Sequence, residues 1–220
     1  MKNVERVFIV AGGELSDSDF RSYRKNRDTL IAADGGAQAC ISLGYRPDLV
    51  VGDFDTTGAT YMETLQSQQI PFRLLPVEKA HTDTHMAIEE ALRFHPREIY
   101  ILGALGGARF DHMIANIGLL EWIATRKVDA FLLHQTNRIR LLIGPTTVQI
   151  PKETYHYLSI LPVSKEVEGV QTDGFLYPLH QETLYRGETR GVSNEWARET
   201  ASITFTNGIC LVIESNDQTN

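Results

Sequence analysis

Through the first 134 residues short apolar runs alternate with longer stretches of helical spacing, and beyond them the helical spacing stops. Runs at 6–10, 29–33, 49–51, 72–75, 99–102 and 130–133 read as strands, while 36–43, 57–68, 83–94 and 111–125 carry helical periodicity. That alternation predicts a parallel sheet covered by helices. From Arg138 on, β-rich runs such as RIRLLIGPTTVQIPKE and ASITFTNGICLVIE are punctuated by Gly, Pro, Asn and Asp, which predicts a small antiparallel sandwich or barrel. The expected fold class is α/β, with an N-terminal doubly wound, mostly parallel sheet domain over 1–135 and a C-terminal antiparallel β-sandwich over 136–220.

Composition narrows the function. Hydrophobic residues make up 42% of the 220, enough for a sizeable core. The formal charge of −7 argues against a general nucleic-acid binder. A bound phosphate compound would therefore need a metal ion to offset the repulsion. Cys40 and Cys210 fit no metal-ligand spacing and are expected to be free buried thiols, in keeping with a reducing cytoplasm. The N-terminal apolar run is too short for a signal peptide, and no stretch approaches ~18 consecutive apolar residues, so no membrane insertion is expected.

Acids recur where strand-like runs end. In RPDLVVGDFDTT the buried run leads into Asp53 and Asp55, two carboxylates that can both point into a crevice and hold Mg²⁺ through hard oxygen ligands. LIAADGGAQ places Asp34 before Gly35 and Gly36, although a capping acid and a glycine turn would also explain it. Gly12 and Gly13, after the first strand, let backbone amides approach a phosphate, but the loop has neither GxGxxG spacing nor a P-loop lysine. In EKAHTDTHMAIEEAL, Thr82 is a sufficient cap with Asp83 in the first turn. His81 and His85 flank that acid, but His85 is expected to point away from His81, which argues against zinc. GALGGARFDHMIAN supplies a glycine-rich turn, then Arg109, Asp111 and His112 at a helix start, a setting that favours anions.

Any one of these sites could be a helix cap. Five acids at the exits of four successive strand-like runs read together as a metal–polyphosphate crevice. In the C-terminal part, Tyr177 of GFLYPL offers a stacking surface and Ser193 with Asn194 of GVSNEW offers donors and acceptors for an amine-bearing heterocycle, although a core tyrosine and a turn would look the same.

The ordered set AADGGAQ, DLVVGDFDTT, HTDTHMAIEEAL, GALGGARFDHMIAN, GFLYPL and GVSNEW resembles the thiamine pyrophosphokinase family over nearly the whole chain. The resemblance implies Mg²⁺-dependent transfer of a pyrophosphoryl group from ATP to thiamine, giving thiamine diphosphate and AMP, by a homodimer with active sites at the subunit interface. Asp53, Asp55, Asp83 and Asp111 match its acidic metal and catalytic positions, with metal expected on Asp53, Asp55 and Asp83. Asp34 matches the acid of its DGGA motif, and Arg109 its phosphate-facing arginine. Tyr177, Ser193 and Asn194 match its thiamine pocket. Gly12, Gly13, Gly35, Gly36 and Asn137 are the further candidates for nucleotide binding. Two competing readings are a metal-dependent phosphohydrolase or kinase of another small alcohol, which would release ADP, and a non-catalytic thiamine or nucleotide sensor.

Overall fold

The computed structural model describes residues 4–54, 58–76, 78 and 80–217. The chain divides into two compact units, Met1–Gln135 and Thr136–Asn220.

The first unit alternates β1 (Arg6–Val10), α1 (Asp17–Tyr23), β2 (Thr29–Ala33), α2 (Gly36–Ser42), β3 (Leu49–Gly52), α3 (Gly58–Ser67), β4 (Phe72–Leu74), α4 (Asp83–Leu92), β5 (Glu98–Leu102), α5 (Phe110–Ala124) and β6 (Asp129–His134). Its strands lie in the order β6-β5-β1-β2-β3-β4, and all five pairings are parallel. The expected parallel sheet is therefore present, with each observed end within about two residues of the pattern. Helix α1 is the element that periodicity missed. Of its seven residues only Phe20 is both apolar and buried, which leaves no apolar stripe to read, and its start is marked instead by Ser16, whose hydroxyl accepts from Ser18 N–H.

These strands read as continuous apolar runs because both faces of the sheet are covered. Phe8, Val10, Leu30, Ala32 and Val50 pack with Phe20 of α1 and with Ala37 and Cys40 of α2. The intervening Val7, Ile9, Ile31 and Val51 are equally buried, and α4 packs against β1, β2 and β3. Each fully buried large apolar side chain contributes about 1.5–3 kcal/mol relative to exposure.

The second unit contains β7 (Asn137–Ile143), β8 (Thr146–Pro151), β9 (Tyr157–Pro162), β10 (Glu166–Asp173), β11 (Glu182–Tyr185), β12 (Asn194–Glu195), β13 (Thr200–Phe205) and β14 (Ile209–Ser215). Its strands form the rows β12-β9-β14-β7 and β11-β10-β13-β8, paired antiparallel. Burial alternates residue by residue along β13 and β14, the period of a strand with one face inward. Ile150, Leu158, Val167, Leu184, Ile203 and Val212, drawn from both rows, share one core. This is the antiparallel sandwich that the pattern predicts. Both cysteines are free and buried.

Candidate active site

Strand order reverses between β1 and β5, so the loops that leave these two neighbours run in opposite directions and open a crevice beyond their carboxyl ends. The cavity there measures about 500 Å³. Its floor is backbone: Gly13 N–H donates to the Gly103 carbonyl at 2.8 Å. A Cβ on Gly13 would fall 2.5 Å from that carbonyl oxygen, and one on Gly103 would fall 2.6 Å from the Ala11 oxygen. Only glycine lets the two loops meet this closely.

The crevice gathers Gly12, Gly13, Asp34, Gly35, Asp83 and Arg109 from the expected residues. Asp34 sits in the left-handed region at φ 39°, and its N–H donates to Val51 O at 2.8 Å. The N-cap of α2 is Gly35 rather than Asp34. Gly52 makes room for the acid, since a Cβ there would lie 3.0 Å from the Asp34 Cβ. Thr82 caps α4 as expected, accepting from His85 N–H at 3.3 Å, and Asp83 follows it onto the crevice wall.

Other expected residues lie elsewhere. Gly36 is buried in the first turn of α2. Asp53 follows β3, is partly buried, and is not part of the wall of this cavity. Asp55 lies outside the described residues. Phe54, which follows Asp53, has backbone φ 56° and 2% exposure, and its ring meets Phe72 edge-on at 5.8 Å and Tyr61 at 6.2 Å. Pattern reading passed over Phe54 because a lone aromatic between two acids has no periodicity. Asn137 opens β7 in the second unit, opposite Ser215.

Arg109 is the N-cap residue of α5 and makes a two-pronged contact with Asp111, Nε to Oδ1 at 2.9 Å and Nη2 to Oδ2 at 2.5 Å. Those hydrogen bonds and the guanidinium charge, with the His112 N–H, hold the Asp111 carboxyl well below the ordinary carboxylate value. Asp111 is exposed and lies outside the cavity lining. Arg109, His112, Met113 and Asn116 all line the crevice. Their spacing of three, four and seven residues is one face of a helix, a signal that was present in the sequence but was not drawn from it.

The expectation that His85 turns from His81 is not met. The two rings stack with centroids 4.2 Å apart, and His85 also lies 4.5 Å from Trp122. His81 precedes the cap of α4, so the loop, not helical geometry, sets its direction. Burial, then the neighbouring His81 and Arg126, lowers the His85 pKa.

In the second unit a smaller cavity of about 160 Å³ brings Tyr177, Ser193 and Asn194 together against Leu158, Ile160 and Phe175. The Asn194 carboxamide binds the Tyr177 backbone at both ends, accepting from its N–H at 3.0 Å and donating to its carbonyl at 2.7 Å. Asn194 thus fixes Tyr177, which stands 60% exposed. Ser193 is in the left-handed region at φ 56° and donates its N–H to Ser159 Oγ at 3.0 Å. Arg190, at the same cavity, is held by Glu182 through two bonds of 3.0 Å.

Among the described residues no three His, Cys, Asp or Glu side chains converge on one point. The carboxylates of Asp34 and Asp83 on the crevice wall are nevertheless hard oxygen donors of the kind Mg²⁺ takes. That ion usually keeps several waters, binds through one or two carboxylates and shares phosphate oxygens, so this donor set fits it.

A doubly wound parallel sheet with an acid-walled, glycine-floored crevice at its switch point, followed by a β-sandwich with a small aromatic pocket, is the architecture of a two-part protein suited to a phosphate-bearing ligand in one part and a ring-bearing one in the other. Comparison with known proteins gives the particular family. Residues 20–132 match the catalytic domain of thiamin pyrophosphokinase, and residues 145–210 match its vitamin B1 binding domain. The chain belongs to the thiamin pyrophosphokinase family, and is an enzyme that pyrophosphorylates thiamine. It is 29% identical to the thiamine pyrophosphokinase of Bacillus subtilis (strain 168) over 97% of this chain and 100% of that one, and the crystal structure of the Bacillus subtilis protein superposes with a TM-score of 0.89. The thiamin pyrophosphokinase of Geobacillus thermodenitrificans is 31% identical, covering 97% and 99% of the two chains, with a TM-score of 0.86. That of Candida albicans, at 18% identity, shares the fold with a TM-score of 0.82 over 96% of this chain and 89% of that one.

Proposed function

We propose that the pyrophosphoryl donor is ATP, that Mg²⁺ accompanies it, and that the products are thiamine diphosphate and AMP. The observation that carries this reading is the crevice at the β1/β5 switch point, which sets glycine-loop backbone and Arg109 against the carboxylates of Asp34 and Asp83. Backbone amides and a guanidinium suit phosphate oxygens, and carboxylates suit the cation that must travel with them. Gly12, Gly13 and the Asp34–Gly35 turn would cradle the nucleotide, with Gly36 letting α2 start against the Val10 carbonyl. Asp83 and Asp34 on the crevice wall would hold Mg²⁺, with Asp53 and Asp55 of the motif after β3 as the further candidate ligands; the ion's chemistry is to neutralise charge on the phosphates.

The thiamine hydroxyl attacks the β-phosphorus, the bond to the α-phosphate oxygen breaks in line, and AMP leaves. The protein contributes positioning and charge neutralisation. Asp111 takes the hydroxyl proton. Its paired state makes it a weak base, and when Arg109 turns to the phosphate oxygens the carboxylate loses the cation that suppresses its proton affinity. In the sandwich pocket, Tyr177 stacks on the thiamine ring, Asn194 fixes Tyr177, and Ser193 offers a hydroxyl to the heterocycle. Two copies assemble as a homodimer with interfacial active sites. Phe110 and Ile114, one turn apart on α5 and 68% and 54% exposed, support an apolar contact on that helix. A cytoplasmic location accords with the two free thiols, and no helix among the described residues is long and apolar enough to cross a membrane.

The test incubates the purified protein with thiamine, ATP and Mg²⁺ and follows AMP and thiamine diphosphate together, with Asp55→Asn and Asp111→Asn in parallel. Equal amounts of both products, lost in Asp55→Asn, support the reaction and the acidic motif. ADP or free phosphate would overturn the assignment of the donor chemistry, and near-normal turnover by Asp111→Asn would remove it as the base.

A further inference from the structure

The glycine-rich turn after β5 does not hold itself. Of its residues, Gly103, Gly106 and Gly107 have φ of 64°, 83° and 79°, conformations that glycine enters freely and leaves as freely. Two side chains of α5 reach it from the helix. Asn116 Nδ2 donates to the Ala104 carbonyl at 2.9 Å, and the Gly106 N–H donates to Met113 Sδ at 3.1 Å. Asn116 is only 7% exposed, yet it belongs to the crevice wall. A buried carboxamide is retained where its hydrogen bonds are made, because an unpaired one is expensive. With Nδ2 committed to Ala104, its oxygen has a fixed orientation.

We propose that Asn116 is a positioning residue for the pyrophosphoryl donor: it ties the Ala104–Gly107 turn to α5, so that the turn's backbone and Arg109 keep a shape that accepts phosphate. The inference rests on the reading of the crevice as the nucleotide site. The bond from Nδ2 to Ala104 O fixes one end of the turn, the bond from Gly106 to Met113 fixes the middle, and Arg109 begins the same helix two turns before Asn116. One rigid element therefore sets the turn and the guanidinium together. Anion binding by backbone depends on that preorganisation, since amides free to rotate lose order when they bind.

The test compares Asn116→Leu and Asn116→Asp with wild type. Leucine fills the volume without a donor. Aspartate keeps the shape, but as a carboxylate it faces Ala104 O with no proton to give, and it regains a donor when protonated. Losing a bond to a buried carbonyl left unpaired raises the KM for ATP roughly tenfold, while thiamine affinity, measured by calorimetry on the intact protein, stays at the wild-type value. As pH falls, the Asp variant approaches wild type measured at the same pH, and the Leu variant does not. The other charged and polar side chains of the same crevice, Asp34, Asp83, Arg109 and His112, are present in all three proteins and cancel in that comparison. A wild-type KM for ATP in both variants, or a lowered melting temperature with unchanged kinetics, would reduce Asn116 to a packing residue and overturn the proposal. Failure of wild type itself to consume ATP would instead overturn the reading on which it rests.

Discussion

Replacing Gly13 by alanine tests whether the crevice floor is set by backbone contact. The added Cβ would lie 2.5 Å from the Gly103 carbonyl oxygen, where ordinary contact begins at 3.4 Å. The obstructing atom is backbone and has no rotamer to yield. The loops after β1 and β5 must therefore part by about 0.9 Å, in an interior as closely packed as a crystal. The 2.8 Å bond from Gly13 N–H to Gly103 O stretches with them, and its loss costs about 1–3 kcal/mol if the carbonyl stays unpaired. A misplacement of that size in a positioning loop costs on the order of 10²-fold in rate, which agrees with the upper part of that range. Steady-state formation of AMP and thiamine diphosphate, with ATP varied at saturating thiamine, reads the effect. The expected result is a fall of about 10²-fold in kcat/KM for ATP, with thiamine affinity unchanged because Tyr177 and Asn194 lie in the other unit. An unchanged kcat/KM for ATP in a folded Gly13→Ala protein would refute the reasoning.

Asn194→Ala removes the two bonds that hold the Tyr177 backbone, so the KM for thiamine should rise roughly tenfold while that for ATP stays put; equal rises in both would count against it. Phe54→Ala empties a site that is 2% exposed and packed on Phe72, and urea unfolding should show a loss of about 3–5 kcal/mol. Burial raises the pKa of Asp19, which is 6% exposed. A carboxyl with a raised folded value contributes stability that is complete below its unfolded value, near pH ~4, and is lost as pH rises through the folded value. Asn at this position carries no such loss. The melting temperature of Asp19→Asn should therefore gain on wild type from acid to neutral pH, and a difference independent of pH would contradict the burial argument.

Much of the fold was legible because the signals that carry it are local. The run VFIV and the run LIAA must be buried on both faces whatever their neighbours are, and no helix interrupts them. The capping of α4 by Thr82 likewise depends on a few consecutive residues. Helix α1 escaped because Phe20 is its one buried apolar side chain, and a single residue makes no stripe. The stack of His81 on His85 escaped for a different reason: a residue before the cap obeys the loop, and loop direction is settled by what the loop packs against.

The sequence by itself determined that acids follow successive strands, that glycines precede the α5 arginine, and that an aromatic and a Ser-Asn pair stand in the antiparallel part. It did not determine which of them meet. Asp34 and Asp83 share a crevice with Gly13 and Arg109, Asp53 is left off its wall, and Asp111 faces solvent beside Arg109. That selection follows from the order β6-β5-β1-β2-β3-β4, which sets residues 13 and 103 in contact across ninety positions of chain. Strand order is decided by how all the covered faces pack at once, so no local window contains it. The same holds for Asn194: its motif marks a turn, and only the closure of the sandwich brings its carboxamide onto the Tyr177 backbone.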